Sequence, residues 1–155
     1  MLAPFPERDL LVEAARVSRP WGEWLRSLLV AVNGVSGTWT PSDASGAALT
    51  FTNLTGNCVY LKVGTVVSVA FRVTYPATAN GAAALIGGLP YASQATTVSV
   101  QGGTITLSDE ATAARLLVTT DATTFGIYTT AGAAVTNATM SGNDLRGTIA
   151  YTAAS

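Results

Sequence analysis

The residues able to carry acid-base chemistry are few and scattered. Asp109-Glu110 is the one adjacent carboxylate pair, and it is followed by Ala111-Thr112-Ala113. General acid-base work needs a second carboxylate at a set distance across a cleft. A carboxylate pair between a strand and a small-residue stretch reads more simply as a polar turn. Asp43, Asp121 and Asp144 stand alone and make no motif. The chain contains no histidine. That excludes Ser-His-Asp and Cys-His nucleophile activation, histidine metal ligation and histidine pH switching. Cys58 is the sole cysteine, so there is no intramolecular disulfide and no CxxC knuckle. It reads as a small core residue beside Val59. No glycine-rich stretch, Gly87-Gly88 and Gly102-Gly103 included, opens a helix in a GK[ST] or GxGxxG pattern. The expectation is therefore no catalytic residue, no metal and no cofactor.

Aromatic side chains are the remaining candidates for ligand contact. Trp39, Tyr60, Tyr75, Tyr91, Tyr128 and Tyr151 could stack on sugars, but strand periodicity places most of them in a core. Tyr91, in the Gly88-Leu89-Pro90-Tyr91 turn, is least explained that way and is the candidate ligand contact. Asn53-Leu54-Thr55 and Asn137-Ala138-Thr139 match the glycosylation triplet and read as turn asparagines.

Composition bounds what positions these groups. The 155 residues carry a net charge of −1, and charged residues make up 11%, against about 25% in an average soluble domain. One lysine and seven arginines give no electrostatic footprint for nucleic acid. No apolar run approaches the roughly 18 residues of a membrane span. The first residues, MLAPFPERDLLVEAAR, lack the basic region and apolar core of a secretory signal.

Charge is unevenly placed. Residues 1–33 hold eight of the 17 charged side chains, and a boundary is expected at Asn33-Gly34. Before it, Pro20 to Asn33 reads as a helix, with Pro20 in the first turn and Asn33-Gly34 as its stop. At 100° per residue, Trp21, Trp24, Leu25, Leu28, Leu29 and Val32 fall in an arc of about 140°, with Glu23 and Arg26 opposite. Trp21, Leu25, Leu28 and Val32 also follow the 4-3-4 spacing of a coiled-coil seam. A helix this short is marginal alone in water, so its stripe must be covered. Either the chain's own β-domain covers it, or copies of the chain or a docking surface do. We therefore assign residues 1–33 as an anchoring and oligomerisation segment and 34–155 as a β-domain.

Residues 34–155 show short alternating runs between turn residues. Strands are expected near 37–40, 47–54, 57–63, 65–75, 82–88, 96–107, 114–120, 124–130 and 144–152, with Gly102-Gly103 as a turn inside the sixth run. In the fourth run, Val67, Val69, Phe71, Val73 and Tyr75 share one face. Such spacing, without strand-helix alternation, predicts an antiparallel jelly-roll-like β-sandwich.

The order of features resembles small fibre or spike proteins of tailed bacteriophages. Pro6-Glu7-Arg8-Asp9-Leu10-Leu11-Val12, then Val17-Ser18-Arg19-Pro20-Trp21-Gly22-Glu23-Trp24-Leu25, resembles their anchoring arm and helix. Gly37-Thr38-Trp39-Thr40-Pro41, the hairpin around Tyr60 and Gly64, and Ile86-Gly87-Gly88-Leu89-Pro90-Tyr91 resemble parts of their β-domain. The resemblance implies a homotrimer on the exterior of a virion. Its partners would be capsid, collar or tail proteins, with host-surface glycans as a further target. With only a helix of about four turns in place of a long shaft, the resemblance favours a stubby fibre, a head fibre or decoration, or a subunit joined to a larger assembly.

Overall fold

The computed structural model describes residues 12–13, 16–17, 19–52, 56–95 and 101–154 and, within the helix, the side chains of residues 20–28. The expected strand residues 53–54 and 96–100 and the arm residues 1–11 lie outside this set, as do the side chains of Leu29 and Val32. The chain divides into two compact units, Met1–Val35 and Ser36–Ser155.

The first unit holds a two-residue antiparallel pair, β1 (Val12–Glu13) and β2 (Arg16–Val17), and one helix, α1 (Arg19–Asn33). The helix forms where the periodicity places it. It stops where Gly34 takes a φ of 63°, the left-handed conformation that ends helices and that glycine adopts without a Cβ clash.

The second unit is mainly β. The strands are β3 (Val35–Thr38), β4 (Ser42–Asp43), β5 (Val59–Val63), β6 (Val66–Thr74), β7 (Leu85–Gly87), β8 (Gly102–Ser108), β9 (Arg115–Val118), β10 (Phe125–Tyr128) and β11 (Asp144–Thr152). They pair in the order β3-β5-β6-β11-β8-β9-β10-β7-β4, and the curl of this antiparallel sheet into a half-barrel supplies the facing layers of a sandwich-like fold.

The curl has a covalent cause. The two edge strands, β3 and β4, are consecutive in the chain and separated only by Trp39, Thr40 and Pro41. Trp39 N–H donates to the Cys58 carbonyl on one side, and Ala44 N–H donates to the Leu85 carbonyl on the other. One short segment thus holds both ends of the sheet. Gly88 allows the closure: its φ is 88°, and a Cβ there would strike the Thr40 carbonyl oxygen.

The core follows the alternation read from sequence. Val67, Val69, Phe71, Val73 and Tyr75 are all buried, as are Ile149 and Tyr151 of β11, while Ser68, Thr148 and Ala150 are exposed. Trp39, Phe71 and Phe125 form an aromatic centre, with Phe71 and Phe125 ring centroids 5.1 Å apart.

Two expectations are corrected. Gly102-Gly103 is not a turn but lies inside β8, between β11 and β9. A Cβ on Gly103 would strike the Thr148 carbonyl oxygen and lie 2.9 Å from Ile149 Cα; one on Gly102 would lie 2.9 Å from the Leu116 carbonyl oxygen. These glycines permit close backbone approach rather than reversal. The expected strand at 47–54 is mostly a loop that returns to the sheet at the Thr52–Thr74 bridge. Asp43 organises it: its carboxylate accepts from Ser45 N–H, Ser45 Oγ and Leu49 N–H. Local side chain-to-backbone bonds of this kind compete with sheet pairing.

Candidate functional site

Three places collect the residues singled out by sequence. The first is the stripe of α1. Trp21, Trp24 and Leu28 are half-buried, Leu25 is 42% exposed, and Glu23 and Arg26 are exposed. The Trp21 and Trp24 rings meet edge to face, with centroids 5.6 Å apart. Ser27 Oγ donates to the Trp24 carbonyl at 2.8 Å, which satisfies a hydroxyl inside the helix. Leu29 and Val32 lie on the same helix by position.

The second place is the rim around Tyr91. Its ring meets Tyr60 edge to face at 5.7 Å, and Lys62 Nζ sits 4.5 Å from the Tyr91 ring centroid. The buried Tyr151 hydroxyl donates to the Tyr91 carbonyl at 2.9 Å and accepts from Tyr91 N–H at 3.4 Å. That clamp fixes the turn. Gly37 makes room for Tyr60, since a Cβ there would lie 2.9 Å from the ring. The Tyr91 side chain beside it first, then burial, pushes the Tyr60 hydroxyl above the ordinary tyrosine range. Sequence reasoning singled out Tyr91 and counted Tyr60 among the aromatic candidates, but it missed Lys62 and did not bring either β5 residue to Tyr91, because both lie far earlier in the chain.

The third set is the carboxylates. Glu110 accepts from Thr112 N–H and Thr112 Oγ1, and these bonds hold it below the usual carboxylate range. Asp109 accepts from Asp144 N–H at 3.1 Å. Both acids thus sit in the polar turn read from sequence, Glu110 bonded within it and Asp109 bonded to the first residue of β11. Asp144 lies on the outer face of β11 between two arginines, with Arg72 Nη2 at 3.1 Å and Arg146 Nη2 at 3.0 Å. Burial raises its carboxyl, but the bonds and charges of Arg72 and Arg146 outweigh this and hold it below the ordinary value.

A depressed folded-state pKa gives stability that is present above the unfolded value, about 3.9, and is lost as pH falls through the folded one. Wild type is therefore expected to exceed Asp144→Asn in stability at pH 7. The gap should narrow progressively below about pH 4, as read by urea unfolding. Because both arginines are more than a third exposed, the gap at pH 7 should be modest, about 1 kcal/mol.

Other singled-out residues are structural. Cys58 is buried, its thiol 3.7 Å from the Arg72 carbonyl oxygen, and burial raises its pKa. Asn137 is fully buried, and its amide donates to Ser45 Oγ at 2.8 Å and to Asn80 Oδ1 at 3.1 Å. It ties three loops together. Among the described residues, no group of three His, Cys, Asp or Glu side chains could hold a metal ion, and no helix is long and apolar enough to cross a membrane.

No protein-family model, curated protein or solved structure matches this chain.

Proposed function

We propose that this chain is a virion structural protein of a tailed bacteriophage: a short homotrimeric fibre or decoration subunit on the particle exterior. Its N-terminal segment holds the copies together and anchors them to a capsid, collar or tail protein, and the β-unit projects outward. The observation that carries this reading is the α1 stripe. Two tryptophans and two leucines line one side of a 15-residue helix, and Leu25 stays 42% exposed in the single chain. Burying such side chains contributes about 1.5–3 kcal/mol each, which three copies repeat. The resemblance of the arm, helix and β-domain segments to phage fibre proteins supplies the virion context.

An antibody raised against residues 36–155 tests this. It should decorate the outside of intact particles at regular positions. Labelling confined to unassembled material would contradict a virion role.

The Tyr91 rim favours a second reading, a carbohydrate-binding module within that same fibre. Two half-buried tyrosines and the chain's one lysine are held together there by the Tyr151 clamp. Binding to host-surface glycans on an array is expected to fall at least tenfold in Tyr91→Ala and in Lys62→Gln. Undiminished binding would remove the rim from the account.

A further inference from the structure

The loop between Tyr75 and β7 sets a reactive pair on the surface. Asn80 and Gly81 are both exposed and lie outside every strand. The side-chain carbonyl oxygen of Asn80, Oδ1, accepts from Ala82 N–H at 2.9 Å and from the Asn137 amide, Nδ2, at 3.1 Å. Asn137 is fully buried, so that second donor is fixed in place. Among the described residues, no acceptor takes the Gly81 N–H. Glycine has no Cβ to shield the neighbouring carboxamide, and its backbone turns easily.

We propose that Asn80 is a modification site at which the folded chain deamidates itself. The Gly81 backbone nitrogen gives its proton to hydroxide and attacks Cγ of Asn80. A C–N bond forms, and the carbonyl electron pair moves onto Oδ1. The two donors already on Oδ1 stabilise the charge that develops there, as preorganised donors do at an oxyanion. They also hold the carboxamide in place for attack. Collapse of the intermediate breaks the Cγ–Nδ2 bond, and the nitrogen leaves as ammonia with a proton from water. Water then opens the cyclic imide. One water is consumed, one ammonia is released, and nothing is oxidised or reduced. Opening at the side-chain carbonyl leaves aspartate. Opening at the main-chain carbonyl leaves isoaspartate, whose backbone runs through the former side chain and gains one carbon.

The products act differently on the loop. Aspartate keeps an acceptor oxygen where Oδ1 was. Isoaspartate lengthens the backbone between two acceptors, the Asn80 carbonyl, which takes Ala138 N–H at 2.7 Å, and the Ala82 carbonyl, which takes Asn137 N–H at 2.9 Å. Both bonds cannot then keep their register, so this product unfastens the loop from Asn137 and Ala138. Either product adds a negative charge to a chain whose net charge is −1.

Tryptic mapping of the full chain tests it. Trypsin cuts after Arg72 and Arg115, and Asn80 is the only asparagine between them. After incubation of the folded protein at mildly alkaline pH, that peptide should gain the mass of OH over NH2 and separate into aspartyl and isoaspartyl forms. Their accumulation should quicken as pH rises, because the attacking nitrogen must lose a proton. Gly81→Ala should slow it at least tenfold. The variant should fold, since a Cβ there meets nothing within 4 Å and Gly81 does not have a positive φ. The chain unfolded in urea is the reference. The folded chain should react at least as fast, because the donors to Oδ1 are placed by the fold. Slower conversion in the folded chain than in urea, no conversion at all, or an unchanged rate in Gly81→Ala overturns the proposal.

Discussion

Leu25→Asp is expected to convert the proposed trimer to a monomer while leaving the β-unit folded. Leu25 is 42% exposed in the single chain, the largest opening among the described side chains of the stripe. In the proposed trimer it would be covered together with Trp21, Trp24 and Leu28 of the same stripe. The substitution removes about 1.5–3 kcal/mol of burial per copy. It also places a carboxylate in an apolar seam, where an unpaired charge is strongly disfavoured. Repeated in three copies, these losses exceed what a two-heptad seam can hold. Light scattering at micromolar concentration should give the mass of one chain, 15.8 kDa in the wild-type sequence, for the variant. The near-ultraviolet circular dichroism of the β-unit should be preserved. Arg26→Asp, on the opposite side of the helix, should stay trimeric.

The second large effect is expected in the core of the sheet. Phe125→Ala should destabilise the β-unit by about 3–5 kcal/mol, the usual cost of an aromatic-to-alanine cavity. Phe125 is fully buried on β10, with Val118 of β9 and Ile86 of β7 paired on either side. Its ring packs against Phe71 at 5.1 Å and Trp39 at 6.5 Å. It therefore joins the middle of the sheet to the segment that closes its two edges. A domain of ordinary stability holds about 5–15 kcal/mol, so the loss is a large share of the total. Thermal unfolding followed by far-ultraviolet circular dichroism should show a midpoint lower by on the order of 10–20 °C. Leu117→Ala, on the exposed face of β9, should stay within about 0.5 kcal/mol of wild type.

What was legible in the sequence is what a period can carry. The alternation of Val67 to Tyr75 named an entire buried face, and the spacing from Trp21 onward named the helix and its stop. Both signals are local, because each residue's neighbour in the pattern lies two to four positions away. The missed features are non-local. Gly102-Gly103 looks like a turn from its own sequence. Only the approach of β11 and β9 from either side shows that it is a place where strands crowd. The loop after Asp43 is rich in small residues that also suit a strand, and one carboxylate bonding three groups decides against it. The closing of the sheet by Trp39-Thr40-Pro41 depends on where β5 and β7 end. No window along the chain contains that information. The rim likewise joins Tyr60 and Lys62 to Tyr91 across a long stretch of intervening chain. The outward-facing valines and leucine of β5 were within a run correctly read as a strand. Alternation alone does not say which of its two faces meets water.

The molar mass of the full-length wild type across a dilution series is the most direct test of the central claim that α1 is covered by its own copies. Sedimentation equilibrium should give three times the single-chain mass of 15.8 kDa at micromolar concentration. Dilution should release monomer in proportion to a single trimer–monomer equilibrium. A mass of one chain throughout that range would contradict the account.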